Sequence, residues 1–262
     1  MNFSIVISLI LAILIFLFAP NLENNTLNLL LQPTAIVIVI GGTLCASFIN
    51  FSFTTVINAI KSASTIFNAK NDNKMKIIDE IIHISYFARH NSLLDLQDLV
   101  DKIEYPFLRR GLKLAIDIDN PQLIYDILGA EISYDEEQEL INSRVFESMG
   151  GYAPTFGIVG AVLGLIQIMS YIQEPEILAN GIATAFVATL YGVGIANLIF
   201  LPIAGNMKLN LRKEVMFKEA VLQAIISITM RENPAIIEEK LIAYLKYNNR
   251  KYIRKSKKES YA

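Results

Sequence analysis

Only one cysteine and two histidines occur in the 262 residues of this chain. One thiol, Cys45, excludes an intramolecular disulfide, and its place in an apolar run makes it a small packing residue. His83 and His90 lie seven positions apart on what reads as one helix, and without a third ligand they are weak evidence for a metal. The chain has no phosphate-binding Gly-x-x-x-x-Gly-Lys, no CxxC pair and no nucleophile elbow. We therefore expect no enzyme chemistry, no resident cofactor and no nucleic-acid partner.

The lack with the largest consequence is of charge. Charge-free runs extend over Met1–Leu22, Asn24–Ile60, Ser148–Gln173 and Ile177–Met207. About 20 mostly apolar residues suffice to cross the hydrocarbon core, so four transmembrane helices are predicted near 3–20, 33–52, 152–172 and 181–204. The first lacks the basic flank and cleavage site of a secretory signal and reads as an anchor.

All 23 Lys and Arg fall in two places, ten between Lys61 and Arg144 and thirteen between Lys208 and Lys258. The links 21–32 and 173–180 hold only Glu23, Glu174 and Glu176. The positive-inside rule then puts both termini and both long segments in the cytoplasm. The division is 1–52 (spans one and two), 53–150 (loop), 151–205 (spans three and four) and 206–262 (tail). The expected fold is an all-α polytopic membrane protein with a helical cytoplasmic lobe built from the loop and the tail. The basic tail "NNRKYIRKSKK" suits anionic lipid headgroups.

The lobe reads as helices. Ile77, Ile81, Ile84 and Ala88 share one face. Leu93, Leu96, Val100 and Ile103 share another, with Ser92 as N-cap. Asn120-Pro121 and Asn233-Pro234 each open a helix with a cap and a first-turn proline.

Inside the spans, Ala153, Gly157, Gly160 or Ala161, and Gly164 make one stripe of small residues, and Gly181, Ala185, Thr189, Gly192 and Ala196 make a second. Such stripes let membrane helices approach closely. The occupant can be the other stripe, a neighbouring copy or a foreign helix. Pro154 and Pro202 are expected at similar depth near the inner ends of their spans. Each removes a backbone donor, and the freed carbonyls call for partners that Thr155 and Thr189 can supply. No Asp, Glu, Lys, Arg or His lies in the spans. Moving an ion through a bilayer generally needs one, so either no ion moves or another protein provides the carboxylate.

"GGYAPTFGIVGAVLGLI" and "GIATAFVATLYGVGIANLIFLPIA" closely resemble the third and fourth membrane helices of the MotA/PomA flagellar stator family. "PTAIVIVIGGTLCASFINF", "ARHNSLLDLQDLV", "YPFLRRGLKLAID" and "NPAIIEEKLIAYL" resemble further family segments in the same order, covering nearly the whole chain. The resemblance implies a stator of the bacterial inner membrane driven by transported protons or sodium. Five copies would ring two helices of a MotB-type single-span partner that carries the ion-binding aspartate. It implies ion-pathway and coupling roles for Pro154, Thr155, Thr189, Tyr191 and Pro202, and helix packing around the partner for Gly157, Gly160, Gly164, Ala185 and Gly192.

It also implies that Arg89, His90, Asp95, Gln97 and Asp98 contact the rotor protein FliG. The family acid eight positions after the arginine is Gln97 here, so its burden shifts to Asp95 or Asp98. An ExbB- or TolQ-like energiser of an outer-membrane process is the alternative within the superfamily, and a non-conducting membrane scaffold the alternative outside it. Four predicted spans favour the MotA type. "ATLYGV" resembles sodium-driven members and "GAVLGL" proton-driven ones, so selectivity stays open.

Overall fold

The computed structural model describes residues 30–67, 73–171 and 173–244, together with Ile7, Leu11 and Leu14. The expected first span at 3–20 lies outside the described residues except for those three. Among the described residues there is no strand. Three helices among the described residues are long and apolar enough to cross a membrane: Pro33–Asn50, Pro121–Tyr171 and Gly181–Thr229.

We number the elements α1 (Pro33–Asn50, with a π turn at Val37–Gly41), α2 (Phe53–Phe67), α3 (Asn73–His90), α4 (Pro106–Asp117) and α5 (Pro121–Ile168). They continue with α6 (Pro175–Ile195), a π turn (Ala196–Phe200), α7 (Leu201–Thr229) and α8 (Pro234–Tyr244). Prolines open α1, α4, α5, α6 and α8, where the missing N–H is an orphan in any case. The predicted Asn120 cap is present: its Oδ1 accepts from the backbone N–H of Gln122 at 3.0 Å and of Leu123 at 3.3 Å. Asn233 does the same for Ala235 at 3.1 Å.

The sequence reading separated a lobe helix starting at Asn120 from a span starting near residue 152. The structure joins them in α5, one helix of 48 residues. Gly150 and Gly151 carry no positive φ, and a glycine in a helix costs only about 1 kcal/mol relative to alanine. Nothing between the cap and Pro154 forces a break. α6 likewise passes through a π turn directly into α7.

The described residues fall into two compact units, one within Met1–Ala69 and Gln138–Asn210, the other within Lys70–Glu137 and Leu211–Ala262. The divisions drawn from charge at 52/53 and 150/151 therefore lie inside the first unit. In that unit, Val56, Ala59 and Ala63 of α2 pack with Val145, Phe146 and Met149 of α5 and with Ala204 and Met207 of α7. The second unit has the larger core. Ile77, Ile81, Ile84 and Ala88 of α3 are buried there, as predicted, with Leu96, Val100 and Ile103. Leu108 and Leu112 of α4, Ile124 and Leu128 of α5, Ile225 and Ile228 of α7, and Ile237 and Leu241 of α8 complete it.

Candidate functional site

The membrane part of the site is a crossing of α5 and α6. A Cβ built on Gly192 would lie 2.5 Å from the carbonyl oxygen of Ala153, 3.1 Å from the Cα of Gly157 and 3.1 Å from the Cα of Pro154. A Cβ on Gly157 would meet the carbonyl of Ala188 at 3.0 Å and the Cα of Thr189 at 3.3 Å. The two backbones touch: a side chain at 192 would overlap main-chain atoms, and one at 157 would have to push them back by a few tenths of an ångström. The register continues through Gly160 against Ala188 and Gly164 against Ala185, and runs to Gly181 against Ile168 in one direction and to Gly150 against Leu201 in the other. Gly157, Gly160, Gly164, Ala185 and Gly192 thus meet this chain's own helices. α1 closes one side of the crossing: Phe156 sits on Gly42, Ala35 is buried with Val187 and Ala188, and Val39 with Ala153 and Ala196.

This register corrects the expected depth of the prolines. Pro154 lies beside Gly192, whereas Pro202 follows Leu201 and is level with the turn before Gly150. They are separated by about seven residues, or roughly 10 Å along the axis. The threonines also do something different from what was expected. Pro154 leaves the carbonyl of Gly150, four residues earlier, without its helical donor. The Thr155 hydroxyl instead donates to Tyr152 O at 2.7 Å, and that of Thr189 to Ala185 O at 3.3 Å. The strain of Pro202 is taken up by backbone: the π turn at Ala196–Phe200 immediately precedes it. A wider turn accommodates a ring that would collide with the carbonyl of Leu198 in regular α geometry.

Thr189 and Thr155 are not brought together. Thr189 is half-buried at the crossing, against Gly157. Thr155 is two residues from Gly157, about 200° around α5, and exposed on its opposite side. The 3.3 Å bond of Thr189 is long for a hydroxyl donor, whose usual range is about 2.5–3.0 Å, so this hydroxyl is weakly held. Tyr191 is occupied: its hydroxyl donates to the carbonyl of Leu30 and its ring packs in the clusters with Ala35 and Val39. Pro202 is exposed and Pro154 half-buried.

The second part lies in the other unit, where α3 ends and a short helical turn begins. Arg89 and His90 form the last turn of α3 and are exposed, a placement the C-terminal end of the helix dipole favours. Ser92 is the N-cap of Leu93–Leu96, and Asp95 closes a capping box by accepting the Ser92 N–H at 2.9 Å. Gln97 and Asp98 follow in the next turn, both exposed. Among the described residues neither Arg89 nor Asp98 has an ion pair. Nearby bases do: Lys113 holds Asp101 at 2.7 Å and Arg110 reaches Glu131 at 3.2 Å. The hydrogen bond and charge of Lys113 hold the Asp101 carboxyl below its usual range.

The sequence reading missed a network that ties the second unit together. Lys74 pairs with Glu214 at 3.0 Å and lies 4.8 Å from the centre of the Phe217 ring. Tyr105 packs on Phe217 and donates to Glu214 at 3.4 Å. Burial, and after it the Glu214 charge, push the Tyr105 hydroxyl far above its ordinary range. These residues come from α3, α7 and the link before α4, and no local pattern marks them as neighbours. Among the described residues no group of three or more His, Cys, Asp or Glu is placed to hold a metal.

The helix crossing and its register define a class that comparison with known proteins identifies. The model of the MotA/TolQ/ExbB proton channel family matches residues 99–220. Motility protein A of Bacillus subtilis is 32% identical over 249 residues, 93% of this chain and 91% of that protein. The chain belongs to the MotA/PomA family of flagellar motor stator A subunits. In three dimensions it matches the solved structure of C. jejuni MotAB, with a TM-score of 0.88 at 26% identity, covering 94% of this chain and 97% of that one. The flagellar MotAB stator complex of Bacillus subtilis matches with a TM-score of 0.87 at 29% identity, covering 95% and 98%.

Proposed function

We propose that this subunit joins a MotB-type single-span partner to couple inward flow of protons or sodium to torque on the rotor protein FliG. The assembly lies in the bacterial inner membrane with the termini cytoplasmic, five copies surrounding a partner dimer. The observation that carries this reading is the α5–α6 crossing. It holds the weakly bonded hydroxyl of Thr189 at a packed junction in spans without a carboxylate of their own, so the ion-binding carboxylate must come from another chain.

In this reading Thr189 faces the partner's aspartate, Pro154 supports the crossing beside it, and Pro202 with its π turn transmits movement toward the cytoplasmic unit. Arg89 and Asp98 are the charges offered to the rotor, with His90 and Gln97 beside them. Asp95 serves first as a cap. The experiment is co-expression with the partner in a stator-deleted motile cell, followed by swimming speed against external sodium with and without a protonophore. Thr189→Ala and Pro154→Ala are expected to assemble but lose most motility. Normal swimming by both variants would refute the assigned roles.

A further inference from the structure

The segment after α3 has one buried face and one open one. Leu96, Val100 and Ile103 are buried in the core of the second unit. Gln97, Asp98 and Asp101 are exposed. The N–H of Asp101 bonds Gln97 O at 3.3 Å, which places Asp101 one helical turn beyond Gln97. At 100° per residue Asp101 stands about 40° round from Gln97, whereas Asp98 stands about 100° round. Asp101 is therefore the acid that shares the Gln97 face. Asp95 is committed to its capping box.

Asp101 is not bare. Lys113, from the last turns of α4, holds its carboxylate at 2.7 Å. Arg109, one turn earlier on α4 and half-buried, adds a weaker pull on the same carboxylate after that of Lys113. The ion pair is wet at both ends: the Lys113 side chain is 53% exposed and that of Asp101 62%. An exposed pair of this kind contributes little to stability and exchanges partners at little cost. Both side chains remain reachable from outside, and Lys113 can leave by a change of rotamer without disturbing the core.

We infer that Asp101 is a further rotor-contact residue, and that Lys113 is an intramolecular competitor which a cation of the rotor protein displaces. The inference rests on the rotor contact proposed above. On docking, the rotor cation takes Lys113's place on Asp101, and the freed ammonium faces the rotor surface. On release, Lys113 reclaims the carboxylate. A contact that must form and break at every passage of the rotor gains from an internal ion that shortens its lifetime. Arg109 stays beside Asp101 throughout and keeps the carboxylate in place.

The test is binding of purified FliG to the purified complex of this chain with its partner, over a range of salt concentrations. Asp101→Asn is expected to weaken binding roughly two- to fivefold, the scale of one exposed ion pair, and to flatten its salt dependence. Lys113→Gln should tighten binding by a similar factor, and should have no further effect in an Asp101→Asn background. Unfolding temperatures of all three variants should stay close to that of the parent chain. A pair that only braces the fold would weaken binding in both single variants alike, and that result would overturn the inference. Loss of binding in Arg89→Asp with none in Asp101→Asn would overturn this contact and leave the rotor reading standing. Binding untouched by Arg89→Asp, Asp98→Ala and Asp101→Asn together would remove both.

Discussion

Gly157 and Gly192 pack backbone against backbone: the Cα of Gly157 lies 3.1 Å from where a Cβ on Gly192 would stand, and the Ala153 carbonyl 2.5 Å from it. The obstacles are main-chain atoms that no rotamer change can move. Gly192→Ala should force the two helices apart at a cost of about 1–3 kcal/mol or more. Gly164→Ala meets its nearest atoms only at 3.6 Å and should be nearly neutral. Thermal stability and yield of the purified complex decide this, and equal loss in both variants would contradict the register.

Asp95 and Asp98 should separate by readout. Asp95→Ala removes half of a capping box and should lower stability by about 0.5–1 kcal/mol. Asp98 has no ion pair among the described residues, so Asp98→Ala should leave stability unchanged while lowering torque at high load. Thermal unfolding beside a torque–speed curve checks both, and the reverse pattern would move the rotor contact to Asp95.

α7 ends in a Schellman motif, with Glu232 N–H bonding Ser227 O at 2.9 Å and Arg231 N–H bonding Ile228 O at 2.9 Å. The left-handed position that usually takes glycine holds Arg231 at φ 53°. An L side chain there costs about 1–2 kcal/mol, partly offset by the greater chain entropy of glycine when unfolded. Arg231→Gly should therefore stabilise by about 0.5–1 kcal/mol, seen as a rise in unfolding temperature. A fall would show that the arginine side chain makes a contact that matters more than the strain.

Glu232 accepts from Lys240 at 2.6 Å, and Lys240 also reaches Ser227 at 2.9 Å. The Lys240 hydrogen bond holds the Glu232 carboxyl below its ordinary range, against partial burial and with help from Ser227. Because the folded-state value is depressed, this stabilisation is complete above the unfolded carboxylate range and is lost as pH falls through the folded value. Hydrogen-exchange protection of α8 should drop across that acid window. In Glu232→Gln it should be lower at neutral pH and flat through the window; an unaltered acid response would assign the effect to another group.

The sequence by itself determined which segments are apolar, where the helices of the lobe start and which faces they bury. Those properties are local: period, caps and the absence of charge are written in consecutive residues, as Asn120, Asn233, Ser92 and the Ile77–Ala88 stripe show. It also determined that the spans contain no ion-binding acid.

Only the tertiary structure decided what each small or polar residue meets. A glycine stripe carries no mark of its occupant, and the α5–α6 register assigned this one to the chain itself. That register also separated Pro154 from Pro202 in depth and Thr155 from Thr189 in direction. The Lys74–Glu214–Tyr105 network and the bond from Tyr191 to Leu30 join residues distant in sequence. Such contacts depend on how helices dock, and docking is set by complementary shape between surfaces rather than by the periodicity of either one.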